Sequence, residues 1–218
     1  MRLVVKVGGS LTRDRARLLA LLDDIKATGA DNDVIIVPGG GGLADTVRAL
    51  DDRFALSTGT SHEMALLAME SIARMLAQLM GAPLEGGIDE LRRKRDGVRV
   101  VSIMGVAPAL DIPEGWHVTS DSIALYVAAA VGAELVVLAK DVDSVYTTDP
   151  RKGGQVEPFA TIAASELSGL PVSPVDDHFP QAAVSLGMET VLIHGGDVGI
   201  VRSVAAGKPL GGTRIIPA

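Results

Sequence analysis

The chain has 218 residues, 47% of them hydrophobic and 3% aromatic, with a formal net charge of −7 and no cysteine. That length buries one substantial core, while the acidic balance and scarcity of rings argue against nucleic acid, which wants basic surface and stacking platforms. Without cysteine there is no disulfide framework, thiolate metal site or cysteine nucleophile, and an amino terminus that runs straight into an apolar segment predicts a cytoplasmic protein with neither leader nor membrane span.

Leu3-Val4-Val5-Lys6-Val7 reads as a buried strand carrying one lysine and running into Gly8-Gly9-Ser10. An unpaired ammonium in a strand buried on both faces is costly. Lys6 is therefore either a solvent-facing edge residue or a functional cation beside glycines whose bare backbone lets an anion approach. Leu18, Leu19, Leu22 and Ile25 mark a helix ended near Gly29. Residues 33–37 read as the second strand, followed by Pro38 and the consecutive glycines Gly39 to Gly42. Their backbone entropy makes a packing-only explanation weak. A helix over 43–50 follows, with Asp45 and Arg48 spaced for a surface ion pair or for ligand contact. Ser61 to Met80 is a long apolar helix with methionine and leucine at core or helix-seam spacing. His62 at its start faces a ligand or is a cap or surface residue. The basic run Arg92-Arg93-Lys94-Arg95 reads as a solvated turn, 98–103 as a strand, and 105–118 as a loop rich in proline and glycine.

The stretch from Trp116 to Pro150 carries the most information. Val118 to Asp121 offers capping side chains, so a helix is expected to begin near Ser120 and to stop at Gly132. Leu135 to Leu138 is too short for a helix and reads as a buried strand. At its carboxyl end, where open α/β sheets bind ligands, lies the acidic loop from Lys140 to Asp149. Beyond it, 155–159 reads as a loop or hairpin arm, 164–167 as a short helix, and Phe179 to Leu186 as a helix ended by Gly187. A strand over 189–193, a helix over 198–206 and a closing strand up to Ile216 complete the chain. The rhythm of strand, glycines and helix predicts an α/β fold with a mostly parallel sheet and helices on both faces. Both glycine runs are expected to lead from strand into helix, an arrangement that binds phosphate. Neither run has the Walker spacing or the dinucleotide fingerprint.

Taken together, Lys6-x-Gly8-Gly9-Ser10, Pro38 to Gly42, Thr119-Ser120-Asp121, Asp141 to Pro150 and Gly211 to Ile215 resemble the amino acid kinase superfamily over essentially the whole chain. The resemblance implies a three-layer αβα sandwich as one domain over 1–218, with an acceptor-side lobe up to residue 130 and a nucleotide-side lobe beyond it. It implies ATP as phosphoryl donor, Mg2+ riding mainly on the ATP oxygens with no protein ligand assigned, a small phosphorylated acceptor, and a homo-oligomer. By the same resemblance Lys6 holds the transferring phosphoryl group and Asp121 orients it. Gly8, Gly9, Ser10, Lys140, Asp141, Asp143, Val145, Tyr146 and Asp149 fall to ATP. Gly39, Gly40, Gly41, Gly42, Asp45, Arg48, Thr119, Ser120, Asp176 and Asp177 fall to the acceptor.

Ala44-Asp45, Val47-Arg48, His62 to Ala65, Trp116 to Ala124 and Val175 to Pro180 are similar to a subgroup acting in methanofuran biosynthesis. That subgroup converts [5-(aminomethyl)furan-3-yl]methyl phosphate into its diphosphate. The similarity implies Gly40 to Gly42 and Arg48 for the acceptor phosphate, and Asp45, Asp176 or Asp177 for its amine. Several superfamily members carry a second lysine in the region of 176–183. None stands there here, which leaves Lys140, Lys208 or no residue as the second cation. Uridylate, isopentenyl phosphate or an amino-acid carboxylate are the alternative acceptors, and a non-catalytic nucleotide or oxyanion binder is the alternative to a kinase.

Overall fold

Arg2 to Val7 and Asp33 to Pro38 are buried at every position. Strands without a solvent face belong inside a parallel sheet covered by helices on both sides. The computed structural model describes residues 1–149, 156–208 and 211–218. The first half contains β1 (Arg2–Val7), α1 (Arg15–Gly29), β2 (Asp33–Pro38), α2 (Gly41–Phe54), α3 (Thr58–Met80), β3 (Leu84–Glu85), α4 (Ile88–Arg92), β4 (Gly97–Val101) and α5 (Ile103–Val106). The second contains α6 (Ser120–Val131), β5 (Leu135–Lys140), β6 (Thr161–Ala163), α7 (Phe179–Leu186), β7 (Thr190–His194), α8 (Ile200–Ala205) and β8 (Thr213–Ile216).

The eight strands lie in the order β3-β4-β2-β1-β5-β7-β8-β6. Neighbours are parallel except β7 and β8, which are antiparallel. Strands β1 to β4 fill one half and β5 to β8 the other, so the winding reverses between β1 and β5. Such a reversal opens a crevice at the strands' carboxyl ends. On one face Val4, Ile35, Val136 and Leu138 meet Ile123 and Val127 of α6 and Phe179 of α7. On the other, Leu3, Val5, Ile36 and Val137 meet α1, α3 and α8 through Leu22, Ile25, Leu76 and Val201. The result is the expected three-layer α/β sandwich. Among the described residues no helix is long and apolar enough to cross a membrane.

Several boundaries differ from the sequence expectation, each for a local reason. Helix α3 begins at Thr58 because Ser57 accepts from the Thr60 N–H at 3.3 Å. Helix α2 continues to Phe54 and stops on Ala55, which sits in the left-handed region at φ 48°. The first glycine run opens a 3-10 segment, Gly9–Arg13, and α1 starts only after Asp14 caps the Arg17 N–H at 3.1 Å. Thr119 precedes α6 without a side-chain cap of its own. Part of the expected arm at 155–159 lies outside the described residues, although Tyr146 forms an antiparallel bridge with Pro158.

At the opposite edge, near the amino ends of β1 and β2, a buried ion cluster ties the sheet to its helices. Asp33 takes Arg2 Nε at 2.7 Å on one oxygen and Arg99 on the other. Arg99, on β4, also donates to the carbonyls of Glu90 and Leu91 at 3.2 Å each. Arg2 donates to the carbonyl of Arg92 at 2.8 Å and to that of Val131. These are the ends of α4 and α6, where helix carbonyls otherwise lack partners.

Candidate active site

Strand periodicity places the two key cations. Lys6 is paired in register with Leu138, two residues before Lys140, so both lysines point to the face that α6 covers. The first turn of α6 brings Asp121 between them. Lys6 Nζ lies 2.8 Å from Asp121 Oδ1, and Lys140 Nζ lies 2.7 Å from Asp121 Oδ2. The side chains of Lys6 and Asp121 are each 5% exposed and that of Lys140 is 14% exposed. Burial alone would raise the Asp121 carboxyl, but the two ammonium groups override it and hold the pKa at about 2. Burial lowers the Lys6 pKa below its ordinary value; Asp121 opposes this and Lys140 adds to it. Two cations on one anion leave a net positive charge with ammonium donors to spare, which suits a phosphoryl group. Of the two lysines outside 176–183 that the sequence offered, Lys140 shares the carboxylate with Lys6, whereas Lys208 is exposed beyond α8.

The glycines beside this triad are required by contact. A Cβ on Gly9 would lie 2.2 Å from the Gly41 nitrogen, and one on Gly39 2.5 Å from the Gly9 nitrogen. The two runs therefore press backbone against backbone, and only residues without side chains permit it. Gly39, Gly40 and Gly41 then line a cleft together with Gly9, Ser10, Thr119 and Ser120. Its remaining wall is apolar, from Leu66, Met69, Val118 and Ile123, with Asp45, Arg48, His62 and Trp116 at the polar positions. His62 Nδ1 accepts from the Gly115 N–H at 3.4 Å, and burial lowers its pKa. Asp45 pairs with Arg13 at 2.9 Å rather than with Arg48. The Arg48 guanidinium instead lies 4.2 Å over the ring of Trp116.

A second cleft opens on the β5 side, lined by Lys140, Asp141, Tyr146 and Asp149 together with Val172, Ser173 and Pro174. Tyr146 donates its hydroxyl to Asp143 Oδ1 at 2.8 Å, and this bond raises the tyrosine pKa. Asp143 and Tyr146 line an adjoining hollow with His194 and Asp197. Of the ion triad, Lys140 lines the second cleft, while Lys6 and Asp121 are buried and line neither; Ser120, next to Asp121, lines the first.

Not every sequence expectation lands in a cleft. The Val145 side chain is fully buried in the core, and its N–H donates to Thr213 Oγ1 at 2.9 Å, so it cannot touch a nucleotide. Gly42 is exposed on α2 with open space where a Cβ would stand. Asp177 is exposed and lines neither cleft. Asp176 is fully engaged elsewhere: Oδ2 accepts from Thr119 N–H and Oγ1 at 2.9 Å and from Ser122 N–H at 3.0 Å. Its Oδ1 accepts from Ser122 Oγ and, at 2.9 Å, from Phe179 N–H. This carboxylate supplies the cap that Thr119 does not, joins the starts of α6 and α7, and has no lone pair left for a substrate amine. His62 lines the first cleft, the ligand-facing one of its two sequence alternatives, whereas Trp116, Arg13 and the segment 172–174 were given no site role by sequence. A single tryptophan in an aromatic-poor chain is the signal that could have found the first of these.

The fold is a mostly parallel α/β sandwich, and relatedness defines its class as a phosphotransferase. The chain is 30% identical over 208 residues to [5-(aminomethyl)furan-3-yl]methyl phosphate kinase of Methanocaldococcus jannaschii, covering 94% of this chain and 93% of that protein. It is 27% identical over 224 residues to uridylate kinase of Methanothrix thermoacetophila, covering 94% and 95%. The crystal structure of uridylate kinase from Archaeoglobus fulgidus superposes with a TM-score of 0.77 over 99% of this chain and 100% of that one, at 19% identity, a likeness of fold. Residues 1–195 match the amino acid kinase family, and the chain belongs to it.

Proposed function

We propose that this kinase transfers the γ-phosphoryl group of ATP to [5-(aminomethyl)furan-3-yl]methyl phosphate, giving the diphosphate and ADP. The observation that carries transfer, as against mere binding, is the pair of lysines on one buried carboxylate, one of them lining the cleft on the β5 side. The acceptor occupies the glycine-lined cleft on the β1–β4 side, and ATP the cleft beside Lys140. An oxygen of the acceptor phosphate forms the new bond to the γ-phosphorus as the bond to the β-phosphate oxygen breaks. The second ionisation of a phosphate monoester lies near pH 6, so at neutral pH this oxygen is already anionic and no general base is required. Lys6 and Lys140 hold the charge that spreads over the transferred group.

Magnesium, when bound, would neutralise the donor phosphates from the ATP oxygens, with Asp141 and Asp149 of the cleft as the carboxylates near it. The furan acceptor is supported by the 30% relative and by the apolar wall of the first cleft. With Asp176 engaged, Asp45, which pairs with Arg13 through one oxygen, is the carboxylate lining that cleft that would meet the amine. Uridylate is the second reading, on the strength of the 27% relative.

The test is a panel of the furan phosphate, uridylate, isopentenyl phosphate and aspartate with ATP and Mg2+, read by ADP release and phosphorus NMR. Turnover of the furan phosphate at least tenfold above the others, by kcat/KM, is expected. A preference for uridylate overturns the acceptor, and ATP binding without transfer to any of the panel overturns the kinase.

A further inference from the structure

Of the two arginines in the glycine-lined cleft, Arg13 is paired with Asp45, while Arg48 has no ion pair or hydrogen bond among the described residues. It lies over the face of Trp116, with the guanidinium carbon 4.2 Å from the ring centroid. The ring is itself anchored: Trp116 Nε1 donates to Asp51 Oδ2 at 2.6 Å, and Asp51 Oδ1 accepts from the Leu56 N–H at 3.1 Å. Arg48 and Asp51 are three apart on α2, hence on one side of the helix. One helix turn thus grips the indole twice, with a cation over its face and a carboxylate at its N–H edge. A guanidinium stacked through its flat face keeps the donors along its edge free for a bidentate anion. Lys6 and Lys140 are committed to Asp121, so Arg48 is the unpaired cation of this cleft.

We propose that Trp116 and Asp51 form a positioning platform for Arg48, which reads the acceptor's own phosphate, and that the acceptor class is therefore a phosphate monoester with a flat apolar body. The proposal rests on the kinase reading above for its direction of use, not for the existence of the anion site. The phosphate sits between the Arg48 fork and the backbone of Gly39 to Gly41, and Leu66, Met69 and Ile123 cover the apolar body. A phosphate engages the planar fork with two oxygens and keeps a third for attack.

Trp116 is the sole tryptophan of the chain, so its emission reports on this cleft directly and without turnover. The furan phosphate is titrated against the protein, with the corresponding furan alcohol, inorganic phosphate and aspartate as comparators. The phosphorylated compound is expected to change the emission saturably, at least tenfold more tightly than the alcohol or aspartate. Arg48→Lys keeps the charge but loses the fork and should raise the acceptor Kd and KM at least tenfold while the KM for ATP stays within twofold. Trp116→Phe keeps a ring face but loses the bond to Asp51, and should raise acceptor KM about three- to tenfold with ATP KM again unmoved. A merely structural role would not split the two constants. Equal binding of alcohol and phosphate, or an unchanged acceptor KM in Arg48→Lys, overturns the proposal while leaving the kinase intact. Arg48-dependent binding of phosphate monoesters with no transfer in the parent protein overturns the kinase and leaves the anion site standing.

Discussion

At the scale of single residues, the site is a case of charges that only make sense together. Lys6 alone in an apolar strand is unfavourable, and so is Asp121 at the start of a buried helix. Together with Lys140 they satisfy one another and leave a net positive charge, with Lys140 at the second cleft. Lys6→Ala should therefore lower kcat a hundred- to thousandfold, about 3–4 kcal/mol by analogy with losing one oxyanion donor. Its thermal midpoint should hardly move, since Asp121 keeps Lys140; a variant with near-parental turnover would remove Lys6 from the mechanism. Lys140→Ala should match it within a factor of ten, which separates a catalytic lysine from one that merely grips the nucleotide through KM. The pH dependence has a definite sign. Asp121, held at about 2 against 3.8 unfolded, contributes its stability fully above pH 4 and loses it as the pH falls toward 2. Lys6, held below 10.5, loses its charge as the pH rises, so kcat should fall on an alkaline limb set lower than an ordinary lysine. A log kcat profile flat up to pH 10.5 would contradict that. Lys6 and the glycines were legible in the sequence because each breaks a local rule: an ammonium among valines, and bare backbone where side chains would normally pack. Asp121 was reached only through resemblance, since taken alone it is a helix-start carboxylate like any other.

At the scale of elements, Asp176 shows how one carboxylate fixes the geometry of another. Five donors from Thr119, Ser122 and Phe179 converge on it, and Asp121 lies between two of those residues. Hydrogen bonds to a charged group are worth about 1.5–3 kcal/mol each in isolation but are not additive, so Asp176→Ala should cost about 2–4 kcal/mol in denaturant unfolding. Asp176→Asn, which preserves shape and one acceptor oxygen, should recover most of that stability yet keep kcat depressed at least tenfold with the KM for ATP little changed. Recovery of both together would make Asp176 purely structural. None of this could be read from the chain, because the contact spans 57 residues between Thr119 and Asp176. The Trp116–Asp51 bond spans 65 in the same way. The elements themselves were legible where the pattern was long enough. Strands β1, β2 and β5 announce themselves as apolar runs, and α3 as a sustained helical stripe. Leu84–Glu85 and Thr161–Ala163 are too short for any periodicity, and their strand character comes from neighbours: the Val100 N–H donates to the Pro83 carbonyl at 2.9 Å, and the Arg214 N–H to Ala160 at 3.0 Å.

At the scale of the whole molecule, the sheet divides its labour between its two edges. The carboxyl ends of β1, β2 and β5 carry Lys6, the glycine runs and Lys140, the residues proposed above to meet the ligands. The amino ends carry Arg2 and Asp33, and with Arg99 of β4 every strong group there is spent on another part of the protein. Asp33 is fully buried and holds both guanidinium groups, while those arginines close the ends of α4 and α6. Removing it leaves buried Arg2 without a carboxylate and Arg99 with Glu85, at 3.3 Å, as its remaining ion partner, and breaking a buried pair by deleting one partner typically costs about 3–5 kcal/mol. Asp33→Ala should therefore lower stability by at least that amount in urea unfolding. Replacing Arg99 with methionine in the same background should return part of the loss, because a buried cation left with Glu85 alone is then gone. At a temperature where the double variant is folded, its kcat and both KM values should stay within a factor of two of the parent, since the cluster sits at the edge remote from the ligand crevice. A selective fall in kcat in that folded variant would show that strain at the amino ends is transmitted along β1 to Lys6, and the two edges would then have to be treated as one device.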